Sequence, residues 1–312
     1  MFMVQRNVWD RCIEYLSRKE IILIVGARQT GKTTLLRELL HHVKTLKEET
    51  FYFSLENPLL LEHLNNNPEH IFAYIPKNSQ KKYLFLDEVQ YLQNPSVFLK
   101  YLYDTYNDTI KLIVSGSSAF YIDRSFTDSM VGRKRIIELF PFSFSEFLKA
   151  KGETVLAEKV ASQSWIDTQR KRNLLIPERE QIYIYLYEYL MYGGYPAVVL
   201  EKNEEEKRFI LKDLHESFLK KDMLEAGISR QFEFYRLVKI LADQTGSLFN
   251  AHELANTLRI SAETVREYTY LLRKSYIAAE IAPFHSNVRK ELTKMPKLYM
   301  LDNGFRNTIL ND

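Results

Sequence analysis

The sequence predicts an α/β fold, a parallel sheet sandwiched by helices and followed by a helical region. Three observations carry that prediction. Short apolar runs alternate with amphipathic segments through the first 150 residues. A loop bearing two glycines and a lysine joins the first apolar run to the first amphipathic segment. From Glu204 to about Ala282 the pattern is helical almost throughout.

In chain order, IILIV (21–25), TFYFSLE (50–56), KYLFLDEV (82–89), KLIVSGSS (111–118) and RIIELFPF (135–142) read as strands. They are short and apolar throughout, as strands covered on both faces are. Between them, TTLLRELLHHVKTL, LLLEHLNNN and PSVFLKYLYDTY read as helices, the last with Pro95 at its start. After Leu148 the polar, charged stretch KGETVLAEKVASQSWIDTQRKRNLLIPERE (151–180) reads as an exposed linker or insertion. IYIYLYEYLMYGGYPAVVL follows, and periodicity alone does not separate strand from helix there. Its length favours a buried helix ending at Gly193–Gly194, with Tyr183, Tyr185, Tyr187 and Tyr189 as core residues. Further on, NAHELANTLRI and SAETVREYTYLLRKSYI predict two helices joined by a tight turn near Ile260 and Ser261. Asn250 with Glu253 has capping-box spacing and Ser261 is a natural N-cap. AAEIAPF and KLYMLD read as strands that would supply a wing. The expected divisions are the α/β domain at 1–150, a charged linker and helical region at 151–229, and a winged-helix domain at 230–312.

Length and composition bound the class. At 312 residues the chain has room for about two domains of roughly 150 residues. Apolar residues at 46% and charged ones at 27% describe an ordinary globular protein. No run approaches the ~18 apolar residues of a membrane span, and MFMVQRNVWDRC lacks an apolar signal core. Cys12 is alone, which fits a reducing cytoplasm. A net charge of +3 neither demands nor excludes a nucleic-acid partner.

The loop is the strongest chemical signal. Gly26, Gly31, Lys32 and Thr33 match G-x-x-x-x-G-K-[ST], with a strand before and a helix after. This resembles the loop of P-loop NTPases. Backbone N–H groups of Gly26, Ala27, Arg28, Gln29, Thr30, Gly31, Lys32, Thr33 and Thr34 would curl around the phosphates of ATP. Lys32 would reach the β- and γ-phosphates, and the Thr33 hydroxyl would ligate Mg²⁺. Arg28 is expected to face solvent. Asp87, at the end of an apolar strand, is placed to hold Mg²⁺ through water. Glu88 next to it can polarise the attacking water as a general base, which points to hydrolysis. Ser115 ends the strand LIVSG, where a hydroxyl could orient the water or sense the γ-phosphate, and Ser117 is a close rival. Arg133 precedes the last strand and is the candidate arginine finger, with Lys134 and Arg135 as alternatives. No [NT]-K-x-D element is present, which favours ATP over GTP. The His residues have no metal-ligand spacing.

Together, a strand inserted between the loop strand and the acid-pair strand, the DE pair, the polar strand end and the arginine before the fifth strand resemble the AAA superfamily of ATPases. RQTGKTTLL, FLDEVQYL, VSGSSAF, VGRKRIIELFPFSFSEFL, YGGYPAVV and KLYMLDNGF are more narrowly similar to a group of uncharacterised prokaryotic ATPases. That resemblance implies a sheet with the loop strand central, and a helical, winged-helix region leading into a further domain. Members usually continue well beyond LDNGF, into a domain related to restriction-type nucleases. The expectation is therefore a fragment or a shortened member, to which no nuclease-like activity is carried over.

For the C-terminal half, one reading sets the second helix of the pair in a DNA major groove, with Arg259, Arg266, Arg273 and Lys274 facing phosphates. Glu263 and Glu267 on the same helix oppose it, and the other reading is a structural lid or a contact for an unknown protein partner. The leading functional expectation is an ATPase whose cycle rearranges core and helical region. An ATP-gated DNA-binding regulator is the rival and a small-molecule kinase the third reading. A finger acting in trans would make the protein a homo-oligomer.

Overall fold

The computed structural model describes residues 4–76, 78, 80–116, 130–162, 175–222, 227–228, 230–284, 286, 291 and 293–311. Contacts divide the chain into two units, Arg6–Phe140 and the remainder, Met1–Gln5 with Pro141–Asp312.

In the first unit, α1 (Trp9–Leu16) leads into β1 (Ile21–Val25), followed by α2 (Lys32–Thr45), β2 (Glu49–Ser54) and α3 (Pro58–Asn66). β3 (Lys82–Asp87), α4 (Pro95–Tyr106), β4 (Ile110–Gly116) and β5 (Lys134–Glu138) complete it. Among the described residues the strands form a five-stranded sheet in the order β2-β3-β4-β1-β5. Every pairing in it is parallel. Helices flank the sheet, and all five residues of IILIV are buried because both faces of β1 are covered. The loop strand is interior, yet β4 and not β1 is the middle strand, which corrects the central position implied by resemblance.

α2 buries Leu35, Leu36, Leu39 and Val43, one stripe at helical spacing. That stripe joins Cys12, Leu16, Ile22, Ile24, Phe85, Ile113 and Ile137 in one core cluster. Burial pushes the Cys12 thiol up to about 12, so it packs as an inert apolar group. Lys111 is 1% exposed and braces the turn between α1 and β1. Its ammonium donates to the carbonyls of Tyr15 and Arg18, each at 2.7 Å, and to that of Glu20. Desolvation pulls its pKa down to about 7. Three acceptors matched to three N–H donors favour the charged form against that pull. Lys111→Met is expected to leave three carbonyls without their donor and to cost about 2–4 kcal/mol, read by urea unfolding. A loss below about 0.5 kcal/mol would show that the brace is dispensable.

The second unit is mainly helical. α5 (Phe144–Ala150) opens with a capping box, Ser143 Oγ accepting from Glu146 N at 3.3 Å and Glu146 accepting from Ser143 N at 2.8 Å. α6 (Thr154–Ala161) follows, so the stretch expected to be an exposed linker contains a helix with Leu156 and Ala157 buried. One apolar stripe of it packs with Phe147 and Leu148, a pattern that composition hides.

α7 (Ile176–Tyr192) ends at Gly193 as expected, but no residue of it is fully buried. Tyr183 and Tyr187 are 69% and 68% exposed. Tyr185 and Tyr189, two positions on, lie partly buried against the Phe142, Phe147 and Leu148 cluster. The reason is geometric. Residues four apart share a helix face and residues two apart do not, so an alternating Tyr series divides between a packed and an open face. α8 (Pro196–Leu200) and α9 (Glu204–Ser217) come next.

α10 (Gln231–Asp243), α11 (Ala251–Leu258) and α12 (Ala262–Lys274) precede an antiparallel pair, β6 (Ala278–Ile281) and β7 (Lys297–Met300). Asn250 caps α11 by accepting from His252 N at 3.1 Å, and Ser261 caps α12 by accepting from Thr264 N at 3.0 Å. The turn between them uses Arg259 in the left-handed conformation, φ 57°. α13 (Asn303–Asn311) closes the described chain and is capped by Asp302.

Asp302 joins distant motifs within this unit. It is 8% exposed and accepts from Gly194 N at 2.7 Å and Phe305 N at 2.8 Å. A Cβ on Gly193 would lie 2.1 Å from its Oδ1, so the carboxylate can sit there only against glycine. YGGYP and LDNGF are therefore two halves of one joint.

Candidate functional site

Parallel pairing gathers the carboxyl ends of β1, β4 and β3 on one edge of the sheet. Ile24 lies beside Ser115 and Val25 beside Gly116, while Leu86 lies beside Val114. The loop leaving β1, the Ser115 hydroxyl and the Asp87–Glu88 pair therefore belong to the same edge.

The loop itself is tightly seated. A Cβ on Gly26 would lie 2.1 Å from the Leu139 carbonyl oxygen, so only glycine lets the loop begin against the end of β5. Gly31 is the N-cap of α2 with φ 94°, a left-handed geometry that side chains disfavour. Thr30 is 0% exposed and donates to the Ala27 carbonyl at 2.9 Å. Lys32, 5% exposed, donates through Nζ to the carbonyls of Gly26 at 3.1 Å and Ala27 at 2.7 Å. Its ammonium thus lies over the loop rather than in solvent. Arg28 and Thr33 are partly buried, Gln29 and Thr34 exposed, so Arg28 does not simply face solvent.

Asp87 is 3% exposed and gripped from two sides. Tyr52 donates its hydroxyl to Oδ2 at 2.7 Å, and Ser115 donates to Oδ1. Burial, and then Asp87 itself, push the Tyr52 phenol up to about 12, so it stays an O–H donor. Ser115 Oγ also accepts from the Glu88 backbone N–H at 3.0 Å. Its hydroxyl proton is committed to Asp87, so its observed work is to align the acid pair. Ser117 lies outside the described residues. Glu88 takes φ 62° and ψ 50°, a left-handed conformation that costs a non-glycine residue about 1–2 kcal/mol. Its carboxylate accepts from the Gln90 side-chain amide.

Arg133 is not brought to this edge. Its carbonyl accepts from Ile21 N at 2.8 Å, which sets it beside the start of β1. The five residues of that strand span about 13–17 Å, so Arg133 lies at the opposite edge from the loop. There it pairs with Asp104 at 2.7 Å. Lys134 and Arg135 begin β5 beside the start of β1, and Arg135 pairs with Glu20 at 2.7 Å. A finger acting on its own chain's nucleotide is thereby ruled out for Arg133: a parallel strand puts its first residue and the loop at opposite ends.

Of the candidate DNA contacts, Arg273 is paired with Glu280 at 2.9 Å and Arg266 reaches His252 Nε2 at 3.3 Å. Lys274 lies over the Tyr270 ring, and Arg259 occupies the helix-joining turn. Among the described residues no group of three or more His, Cys, Asp or Glu forms a metal cluster, and no helix is long and apolar enough to cross a membrane.

Sequence reasoning missed Tyr52, Gln90 and Arg6. Gln90 has a faint signal, an amide two residues after the candidate base. Tyr52 reads as one more aromatic in a strand. Arg6 stands in a segment with no motif, yet it is 7% exposed and donates to the Thr30 carbonyl of the loop at 2.8 Å.

Residues 18–148 match the family model described as an AAA domain, and residues 184–312 match that of a domain of unknown function (DUF8612). An uncharacterized protein of Haemophilus influenzae is 26% identical over 316 residues, covering 97% of this chain and 73% of its own length. An uncharacterized protein of Methanocaldococcus jannaschii is 29% identical over 313 residues, covering 94% of this chain and 62% of its own. Among solved structures, AMPPCP-bound DnaA from Aquifex aeolicus aligns with a TM-score of 0.39 and 17% identity, over 87% of this chain and 89% of that one. Along the chain, then, residues 18–148 are similar to an AAA domain and residues 184–312 to a domain of unknown function.

Proposed function

We propose that the chain binds ATP with Mg²⁺ and hydrolyses it, and that the cycle drives a conformational switch between its two units. The observation that carries this reading is the hydrogen-bonded chain of Tyr52, Asp87, Ser115 and Glu88 at the edge where the loop leaves β1. An acid pair aligned this closely beside a phosphate loop is suited to hydrolysis and exceeds what binding alone needs.

The residues fit the implied metal. Asp87 and Thr33 offer hard oxygen donors. Bound Mg²⁺ would neutralise charge on the phosphates. Lys32 holds the β- and γ-phosphates, exchanging its bonds to the loop carbonyls for phosphate oxygens. The N–H groups of the loop and the start of α2 orient the phosphate chain. Glu88 takes the proton of the attacking water at its carboxylate once Gln90 releases it. Arg133, as a finger, would serve the nucleotide of a partner copy in a homo-oligomer. A cytoplasmic setting rests on the lone Cys12.

A second reading is an ATP-gated DNA-binding regulator. It is favoured by the pair α11 and α12, joined by a short turn and followed by the antiparallel β6–β7, an arrangement suited to a winged helix. One assay separates the two. Phosphate release from Mg²⁺–ATP is measured with and without duplex DNA, in wild type and Lys32→Ala. Turnover in wild type and its loss, by about 10²-fold or more, in the variant is expected. DNA stimulation would move the weight to the regulator. Equal release from both proteins would dispose of the hydrolase reading.

A further inference from the structure

The chain passes between its two units at only two places, Gln5–Arg6 and Phe140–Pro141. Within the first unit those two places meet. Arg6 donates through Nη2 to the Phe140 carbonyl at 2.6 Å, and through Nη1 to the Thr30 carbonyl of the phosphate loop at 2.8 Å. Arg6 is buried at 7% exposure, and Thr30 at 0%. One planar guanidinium therefore spans the incoming crossing, the outgoing crossing and the loop.

Peptide geometry gives this contact a chemical consequence. In a trans peptide the C=O and the following N–H point in opposite directions. Holding the Thr30 oxygen therefore sets the direction of the Gly31 N–H, a donor at the start of α2 where phosphate would bind. The segment at the outgoing crossing is seated on the same loop, because Leu139 N donates to Val25 O at 2.7 Å and its carbonyl leaves room only for glycine at position 26. Past the crossing, inside the second unit, Phe142 N donates to Gly194 O at 2.6 Å and Tyr189 donates its hydroxyl to Phe142 O at 2.7 Å. Gly194 N in turn donates to Asp302. Phe142, two residues past Phe140, is thus built into the joint of YGGYP and LDNGF.

We propose that Arg6 is the positioning residue that couples the nucleotide state of the phosphate loop to both chain crossings, and through Phe142 to the Gly194–Asp302 joint. This rests on the reading of the loop as an ATP site. A turn of the Thr30–Gly31 peptide when phosphate binds would move the acceptor that Arg6 holds, and the same guanidinium would pass that shift to Phe140. Lysine has no planar fork, so Arg6→Lys keeps the charge but loses the fixed spacing with which Nη1 and Nη2 reach the two carbonyls.

The test is backbone hydrogen exchange on the full chain, with and without saturating Mg²⁺ and a non-hydrolysable ATP analogue, for wild type, Arg6→Lys and Arg6→Gln. In wild type the nucleotide is expected to slow exchange at loop residues 27–34 and to change it by about fivefold or more at Phe142 and Gly194. In both variants the loop remains protected at saturation while the response at Phe142 and Gly194 shrinks to under about twofold. A simple loss of packing would raise exchange at those amides equally with and without nucleotide. The proposal is overturned by a full response in folded variants. It is equally overturned by wild type in which the loop is protected and Phe142 and Gly194 do not respond, a comparison that decides the matter even if the variants do not fold. Absence of loop protection in wild type would instead overturn the ATP-site reading on which this one stands.

Discussion

Glu88→Gln is expected to lower phosphate release from Mg²⁺–ATP by about 10²–10⁴-fold while nucleotide affinity stays within about threefold of wild type. The substitution keeps the size of the side chain, and an amide oxygen still accepts from Gln90. It removes only the ability to take a proton from water. The left-handed backbone at residue 88, with its N–H on Ser115 Oγ at 3.0 Å, is retained because it depends on the main chain. Affinity and turnover should therefore separate cleanly, with kcat falling and the dissociation constant of a fluorescent ATP analogue nearly unchanged. Unaltered turnover would remove Glu88 from the reaction. Loss of binding along with turnover would mean that the carboxylate supports the loop and is not its base.

Asp302→Ala is expected to have the largest effect on stability, about 3–5 kcal/mol by urea unfolding. The change strips the acceptor from the N–H groups of Gly194 and Phe305 and removes the cap of α13. Desolvation pushes the carboxyl up to about 6, although the N–H groups of Gly194, Phe305 and Gly304 pull it down. Its folded pKa thus lies above its unfolded value of 3.8. A group of this kind binds its proton more tightly in the folded protein, so its contribution is fully present below about pH 4 and is lost as pH rises through about 6. Relative to Asp302→Asn, wild type should therefore lose stability between about pH 4 and pH 6, measured as a difference in melting profiles. A flat difference, or one of opposite sign, would refute the assignment.

The legible parts of this protein share a property: their signal is local in the chain. The P-loop declares itself because glycine, lysine and threonine must follow one another for one peptide segment to wrap a phosphate. Asp87 and Glu88 are legible because an apolar strand ends on them. Asn250 and Ser261 mark helix starts, since a cap must lie within three residues of the N–H it accepts from. Composition served less well around 151–180, where a charged stretch holds a docked helix. Alternation misled at Tyr183 and Tyr187, because a two-residue repeat laid on a helix sends half its members outward.

What the sequence determined by itself was the alternation of strands and helices, the phosphate loop and the acid pair, all set by neighbours within a few residues. Only the tertiary structure decided that Tyr52 and Ser115 grip Asp87, that Arg133 lies at the far edge on Asp104, and that Arg6 holds the loop. Those contacts join residues 24 to 35 positions apart, and Arg6 to Phe140 spans 134. Strand order and register fix them, and neither is written in any local pattern: a parallel sheet brings together the ends of strands that the chain visits far apart.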